Sequence, residues 1–439
     1  LSLKHRGPDD EGSFYDLGDC VGLTHTRLSI LDVTRAGHQP MVSDDGNFVI
    51  VFNGEIYNFK ELRKDLNKRN NFEWRSDSDT EVLLNLYIDK NNKKESFTSF
   101  LNKINGIFAI VIWDRIKQEI FLIRDAFGVK PLYYCATNSG VFFASEIKAL
   151  LPLIPNEDFQ LDSDFKTLDL NSINRYLTYI WCPGDGTPHE FIKKLNPGSM
   201  ITIKQDLTIK IFQWYQLPQF RNGIKVETNS KSKVLKRTEQ LIREAVHKQL
   251  VSDVPLGAFL SGGLDSSCIV NFARERIPEI ACFTIESKGL EEEGMVDDLP
   301  YAKDVANHLN VPLEIVSSTP ELLTKSLKEM IWQLDEPLAD PAALNVFYIS
   351  KLARENGIKV LLSGAGGDDI FTGYRRHFAI KNERFWTWIP YRLRKEIRDL
   401  SLSLPNDVQL ARRIKKALSG SHLSNSDRLI NYFRWINRR

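Results

Sequence analysis

Residues 260–267, Leu-Ser-Gly-Gly-Leu-Asp-Ser-Ser, are the stretch of this chain best suited to chemistry. The apolar run 254–259 before it reads as a buried strand, and the run 268–274 after it reads as a helix. A strand, a glycine-rich turn and a helix start form a place to hold phosphate. Gly262 and Gly263 let the backbone come close, and the helix start offers free N–H groups and a positive dipole end. Ser261, Ser266 and Ser267 add hydroxyls. No Gly-Lys-Ser/Thr ending follows, so this is not the common NTPase loop. Asp265 stands inside the loop, where a bare carboxylate would repel phosphate. It makes sense there as a ligand of Mg²⁺ that bridges to a nucleotide. A Gly-Ser turn capping a core helix is the plainer reading, and the full string after a strand outweighs it.

A second set of candidates lies in the first hundred residues. The run 21–31 alternates like a strand, with Arg27 as its charged residue. Residues 48–52 read as a buried strand that ends in Asn53-Gly54-Glu55. Asn-Gly is either a β-turn or an amide and N–H pair suited to an oxyanion, and both readings stand. Asp77 or Asp79 would cap the helix that begins near residue 80, or present a carboxylate to a substrate ammonium group.

The elements that must position these residues fall into two kinds. Runs 106–113, 119–123, 131–135 and 140–144 read as successive strands of a mostly antiparallel sheet. After an amphipathic helix at 233–250, strands and helices alternate: 254–260, 266–276, 281–285, 301–309, 311–316, 320–334, 342–356 and 358–362. That order argues for a parallel, helix-covered sheet, with ligands at the carboxyl ends of its strands. The 261 loop and the Ser363-Gly364-Ala365-Gly366-Gly367-Asp368-Asp369 loop each follow such a strand. The Ser/Lys/Thr/Asn-rich run 225–233 reads as a linker, and the acidic run 291–298 as a solvated loop.

Composition narrows the class. The chain has 439 residues, enough for two or three domains, and a net charge of +1, which gives no push toward nucleic acid or membrane. Five scattered cysteines, with no Cys-x-x-Cys, fit a reducing cytoplasm better than a disulfide framework or a zinc site. The longest apolar run, 106–113, is too short to span a bilayer. Leu1 to Lys4 look like the end of a helix, and no terminator-like tail closes the chain. The expectation is that both ends are cut.

The 261–267 string resembles the pyrophosphate loop of the ATP pyrophosphatases, which cleave ATP to AMP and pyrophosphate and adenylate a carbonyl or carboxyl oxygen. From about residue 4 onward the chain resembles the glutamine-hydrolysing asparagine synthetases. The resemblance rests on residues 5–12 (His-Arg-Gly-Pro-Asp-Asp-Glu-Gly), 27–32, 39–41, 53–58, 78–82, 130–134 and 144–150. In the second half it rests on 253–255, 261–267, Asp335-Glu336-Pro337 and 362–368.

The resemblance implies a fold that is α/β and α+β. An N-terminal αββα (Ntn-type) sandwich, residues 1–215, would be a class II glutamine amidotransferase domain. A parallel-sheet α/β ATP pyrophosphatase domain, 232–439, would follow, each domain truncated at its outer end. It further implies that Arg27, with Leu28, Ser29, Ile30 and Leu31 beside it, binds the glutamine carboxylate. Glu55 and Asp79 would take the ammonium end, and Asn53 with the Gly54 N–H would form the oxyanion hole. ATP would lie on Leu260, Ser261, Gly262, Gly263, Asp265, Ser266, Ile285, Ser363 and Gly364, with Mg²⁺ on Asp265 and Asp368.

The expected partners are glutamine, aspartate and ATP, with no nucleic acid and no membrane; a homodimer is left open. The expected reaction activates the aspartate carboxylate as an acyl-adenylate, which ammonia from glutamine then attacks. Ammonia must stay unprotonated, so family analogy also implies a closed tunnel between the domains.

Three departures qualify this. The family nucleophile is a cysteine opening the mature chain, but Leu1 opens this one and Cys20 is internal. Either the first strand has been lost or the glutaminase is dead, and the retained glutamine-site residues favour loss. Many relatives carry an acidic residue where this chain has Ala365. Relatives also run past the point equivalent to Arg439. Two other readings follow: amidation of another carboxylate, such as a uronic acid of a surface polysaccharide, and a non-enzymatic ligand sensor built on a decayed synthetase.

Overall fold

A computed structural model describes residues 2–68, 72–155, 168–218, 230–287, 298–405 and 408–435. Most of the expected linker and the acidic run 291–297 lie outside the described residues. The fold is mixed α/β, with an N-terminal antiparallel-sheet domain and a C-terminal parallel-sheet domain.

The first half begins with a turn at residues 2–6 rather than the expected helix end. A hairpin follows, β1 (Asp10–Asp16) with β2 (Val21–Arg27), and then β3 (Met41–Val42) and β4 (Phe48–Ile56). Helices α1 (Phe59–Asn67), α2 (Asp79–Asn92) and α3 (Phe97–Asn102) lead to β5 (Gly106–Asp114) and β6 (Glu119–Arg124). Next come β7 (Tyr133–Ala136), β8 (Val141–Ala144), α4 (Ile147–Leu150) and α5 (Leu170–Tyr179). Strands β9 (Lys193–Lys194), β10 (Ser199–Lys204) and β11 (Ile209–Gln213) complete this half.

The main sheet has the order β11-β10-β6-β5-β4-β3, with antiparallel pairing throughout. Its central strands are apolar on both faces because both faces are covered. With a period of two, Phe48, Ile50, Phe52, Phe108, Ile110, Ile112, Phe121 and Ile123 face one core, shared with Leu62 and Leu66 of α1 and Val82, Leu83, Leu86 and Tyr87 of α2. Val49, Ala109, Val111, Trp113, Leu122, Ile201 and Ile203 face the other, against Val21, Leu23, Leu132 and Leu195. The second β layer is the β1-β2 pair and the sheet β8-β7-β9, whose outer face packs on Ile147 and Leu150 of α4. The four expected strands at 106–144 therefore divide between two sheets.

The second half runs α6 (Lys231–Gln249), β12 (Leu256–Phe259), α7 (Leu264–Ala273), β13 (Ala281–Ser287), α8 (Leu299–Leu309) and β14 (Leu313–Ser318). It continues through α9 (Pro320–Leu334), α10 (Ala342–Glu355), β15 (Val360–Leu362) and α11 (Gly367–Ile370). Helices α12 (Arg375–Asn382), α13 (Tyr391–Leu402), α14 (Gln409–Leu418) and α15 (Asn425–Tyr432) follow. The sheet is parallel with order β14-β13-β12-β15. Val246, Val270, Ala273, Ala302, Ala306 and Leu309 cover one face, while Ile349 and Ala353 of α10 cover the other. Among the described residues no helix is long and apolar enough to cross a membrane.

The chain moves outward from β12 to β13 and β14, then returns to β15 on the opposite side of β12. The direction of winding reverses there, which opens a crevice at the carboxyl ends of β12 and β15. Leu362 pairs with Ala258, so the loops after these two strands leave the sheet side by side.

Candidate functional site

The 261 and 363 loops interlock at that crevice. Gly262 has φ +76, and a Cβ there would come within 2.4 Å of the Tyr301 carbonyl carbon, so both conformation and space demand glycine. A Cβ on Gly364 would lie 3.0 Å from Asp265 Cβ, and one on Gly367 would lie 2.1 Å from Asp265 Oδ2. The Asp265 carboxylate thus rests on the backbone just before Asp368. Helix α7 starts after Gly263 with no side-chain cap, leaving first-turn N–H groups for a ligand.

The hydroxyls are partly committed. Ser266 Oγ lies 3.1 Å from Ser261 Oγ and donates to the Gly263 carbonyl at 3.2 Å, and Ser267 Oγ donates to the same carbonyl at 2.7 Å. Leu260 is a core residue whose N–H donates to Phe283 O at 2.9 Å, so its backbone rather than its side chain borders the crevice. Ile285 lies on β13, part-packed with Phe283 and Ile349.

Among the described residues, neither the Asp265 nor the Asp368 carboxylate has a hydrogen-bond or ion-pair partner. No group of three or more metal-ligating side chains gathers among them either. A Mg²⁺ held mainly by phosphate oxygens and water needs only one or two carboxylates. Two oxygen donors without partners fit that ion.

The glutamine-site candidates lie in the first half of the chain, on β2 and the loop after it, on β4 and at the start of α2. The Asn53-Gly54 strand end is a misreading: β4 continues to Ile56, with Asn53 opposite Ala109 and Gly54 opposite Phe108. The turn preference of Asn-Gly yields to cross-strand pairing, and a Cβ on Gly54 would meet Ile107 O at 2.0 Å. Phe52 N–H donates to Gln39 Oε1 at 2.7 Å and Ile56 N–H to Asp79 Oδ2 at 2.9 Å, so both point away from β5. By the alternation of an antiparallel ladder the Gly54 N–H points to the same side, beyond the reach of β3. Asn53 Nδ2 lies 3.4 Å from Ser145 Oγ.

Neither Asp77 nor Asp79 is the cap of α2. Ser78 is, its hydroxyl accepting from Glu81 N–H at 3.2 Å. Asp79 is the first helical residue and is buried. Burial pushes its carboxyl up to about 7, the Ile56 N–H bond opposing and the Glu55 charge adding to the rise. Burial also raises Glu55, with Lys130 opposing. Two carboxylates beside each other lack enough positive charge, and an ammonium group would supply it.

Arg27 ends β2 with its guanidinium wrapped in backbone carbonyls: Leu31 O at 2.9 Å, Asp32 O at 2.6 Å and Thr34 O at 3.1 Å. Leu28 is exposed, Ser29 N–H donates to Asp9 Oδ2 at 2.8 Å, and Ile30 and Leu31 continue the loop. Cys20 lies in the β1–β2 hairpin turn, seven residues before Arg27, or roughly 23 Å along the strand.

Several residues escaped the sequence reading because their roles depend on distant partners. Lys130 is half-buried, and its charge acts on Glu55. Asp335 accepts from the Ile147 and Lys148 N–H groups and so caps α4 from the other half of the chain. Glu336 accepts from Tyr133 OH at 3.0 Å and Lys194 Nζ at 2.7 Å. Buried Glu146 holds Arg6 at 2.9 Å and lies 3.1 Å from His5 Nε2. The Asp-Glu-Pro motif had been legible only as a motif.

Comparison with known proteins gives this geometry its context. Residues 1–215 match the glutamine amidotransferase domain family and residues 237–435 the asparagine synthase family. The chain is 35% identical over 407 residues to a glutamine-hydrolysing asparagine synthetase of Bacillus subtilis, covering 93% of this chain and 60% of that protein. It is 33% identical over 398 residues to a Methanocaldococcus jannaschii protein provisionally named as such a synthetase, covering 86% of this chain and 72% of that one. It is also 26% identical over 435 residues to amidase chyE of Penicillium rubens, covering 96% of this chain and 60% of the amidase. The chain therefore spans about three-fifths of the Bacillus relative. The two family matches and the similarity to these relatives along most of the chain make it a member of the glutamine-hydrolysing asparagine synthetase family.

Proposed function

We propose that the protein containing this chain amidates aspartate to asparagine, taking ammonia from glutamine and converting ATP to AMP and pyrophosphate. Residues 1–215 act as the glutamine amidotransferase domain and 232–439 as the synthetase domain. The observation that carries this reading is the coexistence of two unpartnered carboxylates in the switch-point crevice with the charge-poor Glu55–Asp79 pair in the same chain.

In the first site Arg27 and its loop take the glutamine carboxylate, and Glu55 with Asp79 take the ammonium. Asn53 and the Gly54 N–H steady the oxygen that becomes negative as the amide carbon is attacked. In the second site the α7 N-terminus and the 261 loop take the phosphates. Asp265 and Asp368 would hold Mg²⁺, which neutralises phosphate charge when bound. The acceptor carboxylate attacks the α-phosphorus of ATP and pyrophosphate leaves. Ammonia then attacks the acyl carbon, losing a proton as AMP departs.

Ala365 favours a second reading in which another carboxylate is the acceptor, since alanine cannot take the proton an acidic residue would. Incubating the full-length protein with glutamine, ATP and either aspartate or a hexuronic acid, and scoring AMP, separates the readings. Aspartate-dependent AMP supports the first and uronate-dependent AMP the second. No AMP with any carboxylate leaves a binding protein. If aspartate is the acceptor, Ala365→Glu raises aspartate-dependent AMP formation; a slower Ala365→Glu enzyme would show that position 365 does not limit it.

A further inference from the structure

Both strands that carry the phosphate loops are tied at their feet to one short segment of the glutamine site. Asp253 stands three residues before β12. Its carboxylate accepts the Asp32 N–H at 2.7 Å, and its own N–H donates to Ile30 O at 3.0 Å. Lys359 stands immediately before β15, and its ammonium donates to Asp9 Oδ2 at 2.8 Å, the same oxygen that holds Ser29 N–H at 2.8 Å.

Asp32 is the point where these ties meet the site. Its carbonyl holds the Arg27 guanidinium. One carboxylate oxygen accepts from Thr34, and the other accepts the Asp77 N–H at 2.8 Å, two residues before Asp79. Asp32 is itself in the left-handed region, at φ +49, so this network holds a conformation that a non-glycine residue rarely adopts. Both ends of the glutamine site, Arg27 and Asp79, thus lean on Asp32, and Asp32 leans on Asp253.

We propose that Asp253 is a positioning residue that couples glutamine occupancy to the phosphate loop, through Asp32 on one side and β12 on the other. The proposal rests on the glutamine and ATP sites assigned above. It makes the 28–34 segment a joint: ordering its side chains around glutamine fixes the foot of β12, four residues of strand below the phosphate loop. Lys359 does the same for β15. The coupling is reciprocal, so MgATP tightens glutamine binding by the same factor.

The test uses the full-length protein and compares wild type, Asp253→Ala and Asp253→Asn, the last keeping an oxygen that can accept the Asp32 N–H. Hydrogen exchange with and without glutamine reads the coupling directly. In wild type, glutamine protects residues 28–34 and also 254–263. In Asp253→Ala the first protection persists at higher glutamine and the second disappears; Asp253→Asn restores it. In turnover, Asp253→Ala raises the glutamine KM about tenfold and the glutamate released per AMP. AMP formation driven by added ammonium stays within about twofold. Equal loss of the ammonium-driven rate would make Asp253 a prop of β12 and overturn the proposal. So would protection confined to 28–34 in the wild type. Glutamine that protects no segment at all would instead overturn the site assignment, and the coupling with it.

Discussion

The two candidate sites are built on opposite plans. Around Arg27 and Asp79 the side chains are buried and committed to protein partners before any ligand arrives, with the half-buried Glu55 beside them. Around Asp265 and Asp368 the carboxylates are partly or fully exposed and unpartnered, and the close fit is supplied by glycine backbone instead. The first plan suits recognition of a small zwitterion, where orientation decides which bond is cut. The second suits a polyanion that brings its own cation. The difference teaches where substitutions should hurt: folding and binding together in the first region, binding alone in the second.

The sharpest way to break this contrast is Arg27→Met. Removing a buried guanidinium leaves the Leu31, Asp32 and Thr34 carbonyls short of donors, so denaturant unfolding of the first region should lose about 2–4 kcal/mol. Glutamine binding should be lost as well. A variant that loses glutamine yet unfolds like wild type would show that Arg27 is held for the ligand alone.

Asp265→Asn is its counterpart. MgATP affinity by calorimetry should fall about 100-fold, with little change in melting temperature because the carboxylate has no protein partner. Unchanged affinity would reduce Asp265 to a feature of the helix start.

Asp79 sharpens the comparison through pH. Its folded value near 7 stands above its unfolded 3.8. The stability it contributes is therefore fully present below about 4 and is lost as pH rises through 7. Asp79→Asn should remove that slope, seen as a pH-dependent difference in melting temperature between variant and wild type. Glutamine needs the ionised carboxylate, so wild-type affinity should fall several-fold from pH 8 to pH 6. Calorimetry in two buffers should detect proton release on binding near pH 6. A pH-independent affinity would contradict the assignment of Asp79 to the ammonium group.

The smallest effect belongs to the contact between the halves. Asp335→Ala removes the cap of α4, a loss of about 1 kcal/mol, while Lys148 over the Trp332 ring at 4.0 Å remains. Limited proteolysis should separate the halves faster. Unchanged digestion would make this contact incidental.

What the sequence could reveal follows the same division. The 261 loop was legible because strand, loop and helix are consecutive, and its chemistry is carried by neighbours. The alternating βα order likewise predicted the parallel sheet and its crevice. The 53–54 strand end was misread because local turn preference was overruled by pairing with β5. Asp32 with Asp253, and Asp335 with α4, join residues far apart in sequence, so no local pattern announced them. The Glu55–Asp79 pair was named by resemblance, but its lack of compensating charge is a property of burial alone.

The central claim is that the two sites serve one reaction, and isotopic tracing tests it most directly. The full-length protein is given amide-¹⁵N glutamine, ATP and aspartate, with unlabelled ammonium held below the level that drives AMP formation by itself, and the product is analysed by mass spectrometry. The account predicts asparagine carrying ¹⁵N, with about one glutamate and one AMP for each product molecule. Asparagine carrying unlabelled nitrogen, or glutamate released without AMP, would contradict it.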